Sequence, residues 1–185
     1  REEIDFVKAG ESGVDFGWNA FEGTSDRGKA SLHPAPRLPI HEYDHSGGNV
    51  SVTGGFVYRG PIESLQGEYF FGDFNTSRVW SGRFDRDTAA FEFDGGNFYD
   101  LVERSFAVAD DLRAGSPIDH LVSFGKDLDD NLLVVDYGEG NLFNPTPNTG
   151  EIFRLDAVLY PDINQDGVFN VGDWNAFKSN VGQDT

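Results

Sequence analysis

The chain has 185 residues, 38% of them hydrophobic and 14% aromatic, with 17 Phe and 6 Tyr, which is ample apolar material for a packed core and excludes a disordered polypeptide. Its 32 acidic residues against 14 basic ones give a formal net charge of −18, a balance that repels nucleic acid and anionic membranes and excludes both as partners. There is no Cys, so disulfides, thiolate metal sites and cysteine nucleophiles are excluded too.

No segment approaches the roughly 18 to 20 consecutive apolar residues of a membrane-spanning helix, and the residues after Arg1 form no signal-peptide core. Met is absent, at position 1 included, so the expected natural start lies upstream of Arg1.

In chain order, the segment from Gly23 to His45 comes first as a distinct stretch. It is poor in apolar periodicity, and Pro34, Pro36 and Pro39 each remove a backbone donor, so it reads as a long ordered loop. Short apolar runs follow at Gly55–Arg59, Glu68–Gly72, Arg78–Trp80, Ala90–Phe93, Leu132–Asp136 and Glu151–Leu155. Turn formers separate them at Arg59-Gly60-Pro61, Asp73–Ser77, Asp94–Asn97 and Asp127–Asn131. Runs of this length at this spacing predict an all-β fold, a sandwich or the hairpins of propeller blades. Thr53-Gly54-Gly55 ahead of an apolar run predicts a strand that approaches another backbone closely, and Ala107–Arg113 has room for one helical turn.

The chemistry changes after Pro161. Residues 162–173 read Asp-Ile-Asn-Gln-Asp-Gly-Val-Phe-Asn-Val-Gly-Asp. Calcium takes six to eight oxygen ligands, so a binding loop aims oxygens inward at positions one, three and five, turns sharply at six, donates a carbonyl at seven and closes at nine and twelve. Asp162, Asn164 and Asp166 fill the first three positions, Gly167 the turn, Val168 the carbonyl, Asn170 the ninth position and Asp173 the closing carboxylate. The run beginning at Asp127 also places oxygens at one, three and five, but has Leu132 at six and Gly138 at twelve, so it predicts a turn between strands. Beyond the loop, Trp174, Phe177 and Val181 fall at helical spacing and predict a short amphipathic helix ending at Gly182.

This loop and helix resemble one repeat of a dockerin, a calcium-binding module that pairs two repeats and binds cohesin domains. The resemblance implies a cohesin-like partner. One repeat is present here, and Val171 and Gly172 stand where dockerins often carry partner-recognising polar residues.

The preceding residues resemble a second family. Phe16-Gly17-Trp18-Asn19 with Glu22-Gly23, Tyr43-Asp44-His45, Ser51–Gly60, Leu65–Phe74, Arg78-Val79-Trp80, Ser123–Asp127, Asp136-Tyr137-Gly138 and Gly150–Leu155 are similar, in order, to the C-terminal half of the glucose/sorbosone dehydrogenases. That resemblance spans about residues 3 to 156 and implies two to three antiparallel blades of a six-bladed propeller. It also implies a sugar substrate and, in the quinoprotein members, PQQ with calcium polarising the quinone. The family's catalytic His belongs to the N-terminal half, outside this chain. Where cations would hold the PQQ carboxylates this chain has Ser116-Pro117-Ile118-Asp119-His120, an acidic setting for a tricarboxylate.

His45, which matches a family motif position beside the Pro-rich segment, is the candidate catalytic residue; His33, His41 and His120 carry less. Arg59 and Arg78 are candidates either for an anionic ligand or for pairing with carboxylates.

Together these readings predict a propeller segment over 1–156 and a dockerin-like repeat over 157–185, in an extracellular or periplasmic protein. The expected function is a calcium-binding, non-catalytic module, with part of a PQQ-dependent aldose dehydrogenase as the alternative. An incomplete propeller exposes strand edges, so self-association, or pairing with the missing blades, is expected, and carbohydrate is a further expected partner.

Overall fold

The computed structural model describes residues 1–30, 36–85, 97–104, 118–141 and 143–156. The chain divides into two units, Arg1–Leu155 and Asp156–Thr185, and apart from Asp156 the second lies outside the described residues. The predicted strand at 90–93, the helical turn at 107–113, the calcium loop and the helix after it lie outside them as well.

The described residues are all-β. In chain order the strands are β1 (Glu2–Ile4), β2 (Phe21–Glu22), β3 (Ser25–Asp26), β4 (His41–Tyr43), β5 (Val52–Val57), β6 (Glu68–Asp73), β7 (Val79–Phe84), β8 (Phe98–Arg104), β9 (Leu121–Lys126), β10 (Leu132–Asp136), β11 (Gly140–Asn141), β12 (Asn144–Pro145) and β13 (Glu151–Arg154). Two sheets carry the architecture. One is a four-stranded antiparallel meander in the order β5-β6-β7-β8, and the other is three-stranded in the order β13-β10-β9. Three two-stranded ladders, β1-β4, β2-β3 and β11-β12, complete the pairing.

The sequence of β6, Glu-Tyr-Phe-Phe-Gly-Asp, explains how the layers stack. Successive residues of a strand point to opposite faces, so Phe70 and Phe71 look opposite ways, and both are fully buried. Phe70 packs with Val79 against Leu121, Phe124, Leu132 and Val134 of the three-stranded sheet. Phe71 packs with Trp80 and Phe98 against Ile4 of β1 and Ile40, which immediately precedes β4. Burying a side chain of this size contributes about 1.5–3 kcal/mol, so one dipeptide anchors two separate cores.

Bulges adjust the faces. Between Thr53 and Phe56, β5 takes one more step than its partner from Gly72 to Phe70, an extra residue absorbed at Gly54-Gly55. A Cβ on Gly55 would collide with the Phe70 carbonyl oxygen, which is the close backbone approach predicted from Thr53-Gly54-Gly55. In β9 the extra residue is Val122, which turns outward and leaves Leu121 and Phe124 on the same buried face. Strands β5 and β9, the first of each sheet, run beside one another without forming a ladder, and Thr53 Oγ1 donates to the Leu121 carbonyl at 3.2 Å. Two meanders stacked face to face with their first strands adjacent are the arrangement of neighbouring propeller blades.

Two expectations need correction. The segment 23–45 is not loop throughout, because β3 and β4 lie within it; His41-Glu42-Tyr43 is too short and too polar to show a strand period, and tertiary pairing with β1 makes it one. Strands β8 and β9 have no counterpart among the predicted runs: each contains a bulge that breaks alternation, with Asp100 at φ 51° in the first.

Replacing Gly55 by Val should destabilise the chain by about 3 kcal/mol, the upper end for overpacking, while Gly54→Ala, which meets nothing nearby, should stay within about 0.5 kcal/mol of the parent. Denaturant unfolding of the full chain reads both, and equal stability of the two variants would contradict the close approach.

Candidate functional site

The calcium ligands proposed from sequence, Asp162, Asn164, Asp166, Val168, Asn170 and Asp173, all lie outside the described residues. Among the described residues no group of three or more His, Asp or Glu could hold a metal ion.

His45 follows β4. Its Nε2 lies 2.9 Å from Glu2 Oε1, and the second Glu2 oxygen accepts the Val52 amide at 2.7 Å, so the half-exposed imidazole helps tie β1 to the start of β5. Arg78 lies 4.8 Å over the Trp80 ring and forms a two-pronged pair with Glu103, whose carboxyl the guanidinium holds below its ordinary range. Of the sequence's two alternatives for Arg78, carboxylate pairing is the one realised. Exposed Arg59 instead lines a small open pocket with Phe56, Lys126, Asp130 and Leu132.

The motif blocks converge on two buried aspartates. Asp73 ends β6: its Oδ1 accepts the Asn75 and Thr76 amides, each at 3.0 Å, while Oδ2 accepts the Ser51 amide at 2.9 Å and the Tyr43 hydroxyl at 3.0 Å. Burial first, and then the charge of Asp73, push the Tyr43 phenol above its usual range, so it acts as a fixed donor.

Asp136 ends β10 in the corresponding place. Its Oδ1 accepts the His120 amide at 2.8 Å and the Gly138 amide at 3.1 Å, and its Oδ2 accepts the Asp119 amide at 3.2 Å. The aromatic residue after each aspartate, Phe74 or Tyr137, packs at the same spot, with ring centroids 6.2 Å apart and the His120 ring stacked on Phe74 at 5.0 Å. The signal for this pairing was in the sequence: Phe70-Phe71-Gly72-Asp73-Phe74 and Leu133-Val134-Val135-Asp136-Tyr137 are both apolar runs closed by Asp and an aromatic residue.

A charged cluster was not anticipated. Buried Glu68 accepts the Ser81 hydroxyl at 2.6 Å and pairs with Arg104 and, at 3.4 Å, with Arg83, while Arg104 Nε donates to Ser81 Oγ at 2.7 Å. Glu68 stands opposite Arg83 in the ladder, a pairing visible only once the register is known. The predicted turn Asp127–Asn131 joins β9 to β10, and Asp127 spends its carboxylate inside it, accepting the Asp129 and Asn131 amides and the Asn131 side chain at 2.9 Å each. These carboxylates satisfy backbone and side-chain donors.

No family model matches the chain, and no solved structure matches it. It is similar to HIPL1 protein of Arabidopsis thaliana, 30% identical over 95 residues, a match covering 44% of this chain. The match takes in 13% of that relative's length.

Acidification acts on two groups in opposite senses. Burial beside Phe71 and Phe98 holds the His41 imidazole below its ordinary value, so protonation favours the unfolded chain and stability falls as pH drops below about 6.5. Burial, and then the neighbouring Glu3, push the Asp5 carboxyl up to about 6, so the native state takes a proton first and stability rises as pH falls through that value. Between about pH 7.5 and about pH 5, His41→Phe should therefore lessen the loss of melting temperature and Asp5→Asn should deepen it. Parallel melting curves test this, and shifts in the same direction for both variants would contradict it.

Proposed function

We propose that this chain is a calcium-binding, non-catalytic propeller segment of a secreted, extracellular or periplasmic protein resembling the glucose/sorbosone dehydrogenases. In this reading the dockerin-like tail orders the C-terminus or docks a partner, with a cohesin-like domain or a carbohydrate as candidates. The observation that carries it is the loop 162–173, where Asp162, Asn164, Asp166, Val168, Asn170 and Asp173 supply oxygens at all the positions calcium requires and Gly167 supplies the turn. The stacked meanders and the ordered blocks along them support the propeller part.

The non-catalytic reading is preferred to the PQQ alternative on the acidic composition of Ile118-Asp119-His120, where the Asp119 and His120 amides turn to the Asp136 carboxylate, a poor fit for a tricarboxylate.

The full chain should take up one calcium ion, and removal of both Asp162 and Asp166 by substitution with Ala should abolish it. A ligand bound only by the folded state adds about 2.7 kcal/mol at a hundredfold excess over Kd, so chelation should expose residues 157–185 to protease. Isothermal titration reads the first and cleavage mapping the second; no calcium uptake at millimolar concentration would overturn the proposal.

The propeller reading also bears on assembly. Strands β8 and β13 end their sheets among the described residues, and Leu101, Val102 and Ile152 on them are exposed. Sedimentation equilibrium should find a mass above the 20.4 kDa of one chain, or binding to a separately produced set of missing blades. A species that stays monomeric and ignores such blades would contradict this part.

A further inference from the structure

Three tripeptides in the described residues begin with Asn and end with Ser or Thr: Asn49-Val50-Ser51, Asn75-Thr76-Ser77 and Asn144-Pro145-Thr146. The third is disabled by its central proline, and the first two are acceptor sequences for N-linked glycosylation. The motif alone is frequent, and what separates the two is whether the finished fold accommodates a glycan at that asparagine.

Asn49 is 6% exposed and committed at both ends of its amide: Nδ2 donates to the Ser46 carbonyl at 3.0 Å, and Oδ1 accepts the Thr76 hydroxyl at 2.8 Å. A glycan there would displace buried contacts. Asn75 lies in the turn from β6 to β7 with an exposed side chain, and its Nδ2 donates to the Gly48 carbonyl at 2.9 Å. A glycosylated amide keeps one N–H, so that bond survives modification.

We propose that Asn75 is an N-glycan acceptor and that Asn49, in the native protein, is not. The inference rests on the secreted reading given above. In the transfer, Nδ2 of Asn75 forms a bond to the anomeric carbon of an oligosaccharide, the anomeric C–O bond to its polyprenyl diphosphate carrier breaks, the diphosphate leaves, and the amide gives up one proton. The Ser77 hydroxyl, buried in the finished fold and donating to the Asp119 carbonyl, is free only before that turn closes, so the transfer accompanies chain entry rather than following folding.

The test is to deliver the full chain, behind a supplied leader, to the lumen of a eukaryotic secretory host and map glycans by amidase digestion in heavy-oxygen water. Both exported and retained material are analysed. Glycan is expected on Asn75, with Asn49 the minor site in the exported fraction. An Asn75→Gln variant should lose the mobility shift, and Asn49→Gln should keep it. Unmodified Asn75 in lumenal chain, or exported protein glycosylated chiefly at Asn49, would overturn the inference. Glycosylated chain that is retained and never exported would instead count against the secreted reading.

Discussion

Phe70 and Phe71 are neighbours in sequence and point to opposite faces of β6, and each is the centre of a different core. The four-stranded meander is thereby fixed between the β9-β10-β13 sheet on one side and the β1-β4 ladder on the other. A one-residue slip of register would exchange the two faces along the strand, so the bulge at Gly54-Gly55 and the buried Glu68 cluster across β6, β7 and β8 have a common consequence, which is to hold that register. Gly72 serves the same layer contact, since a Cβ there would collide with Leu121 of the neighbouring sheet.

Both sheets use one device at the end of their second strand. Asp73 and Asp136 are buried, accept backbone amides from the turns beside them, and are followed by aromatic rings that meet each other. A carboxylate with several amide donors is stable in a dry setting because the hydrogen bonds replace its hydration. Repeating the device in both sheets is what stacked blades of common design would show. It also explains where the family-like motif residues go: most of them are architecture.

The parts of the fold legible in the sequence were those with undisturbed local signals. Leu132–Asp136 and Glu68–Gly72 are dense apolar runs between turn formers, and the Asp127 turn was separable from a calcium loop by Leu132 and Gly138 alone. Strands β8 and β9 were not legible because each bulge adds a residue and breaks alternation. The Glu68, Ser81 and Arg104 cluster depends on register, which no local pattern encodes. His45 shows the limit from the other side: its motif position was legible, but its engagement by Glu2, 43 residues earlier, was not. The proposed calcium loop at 162–173 reads from its own ligand spacing, a signal that needs no partner elsewhere in the chain.

On the proposed reading, two apolar cores stabilise the β scaffold and a bound cation orders residues 157–185. Amide hydrogen exchange of the full chain with calcium and with chelator tests that reading most directly. The account predicts that the amides of Phe70 and Phe71 are among the slowest and unchanged by chelation, whereas residues 162–173 lose protection when calcium is removed. Protection of the loop that is indifferent to calcium, or β6 amides that exchange as fast as the loop, would contradict it.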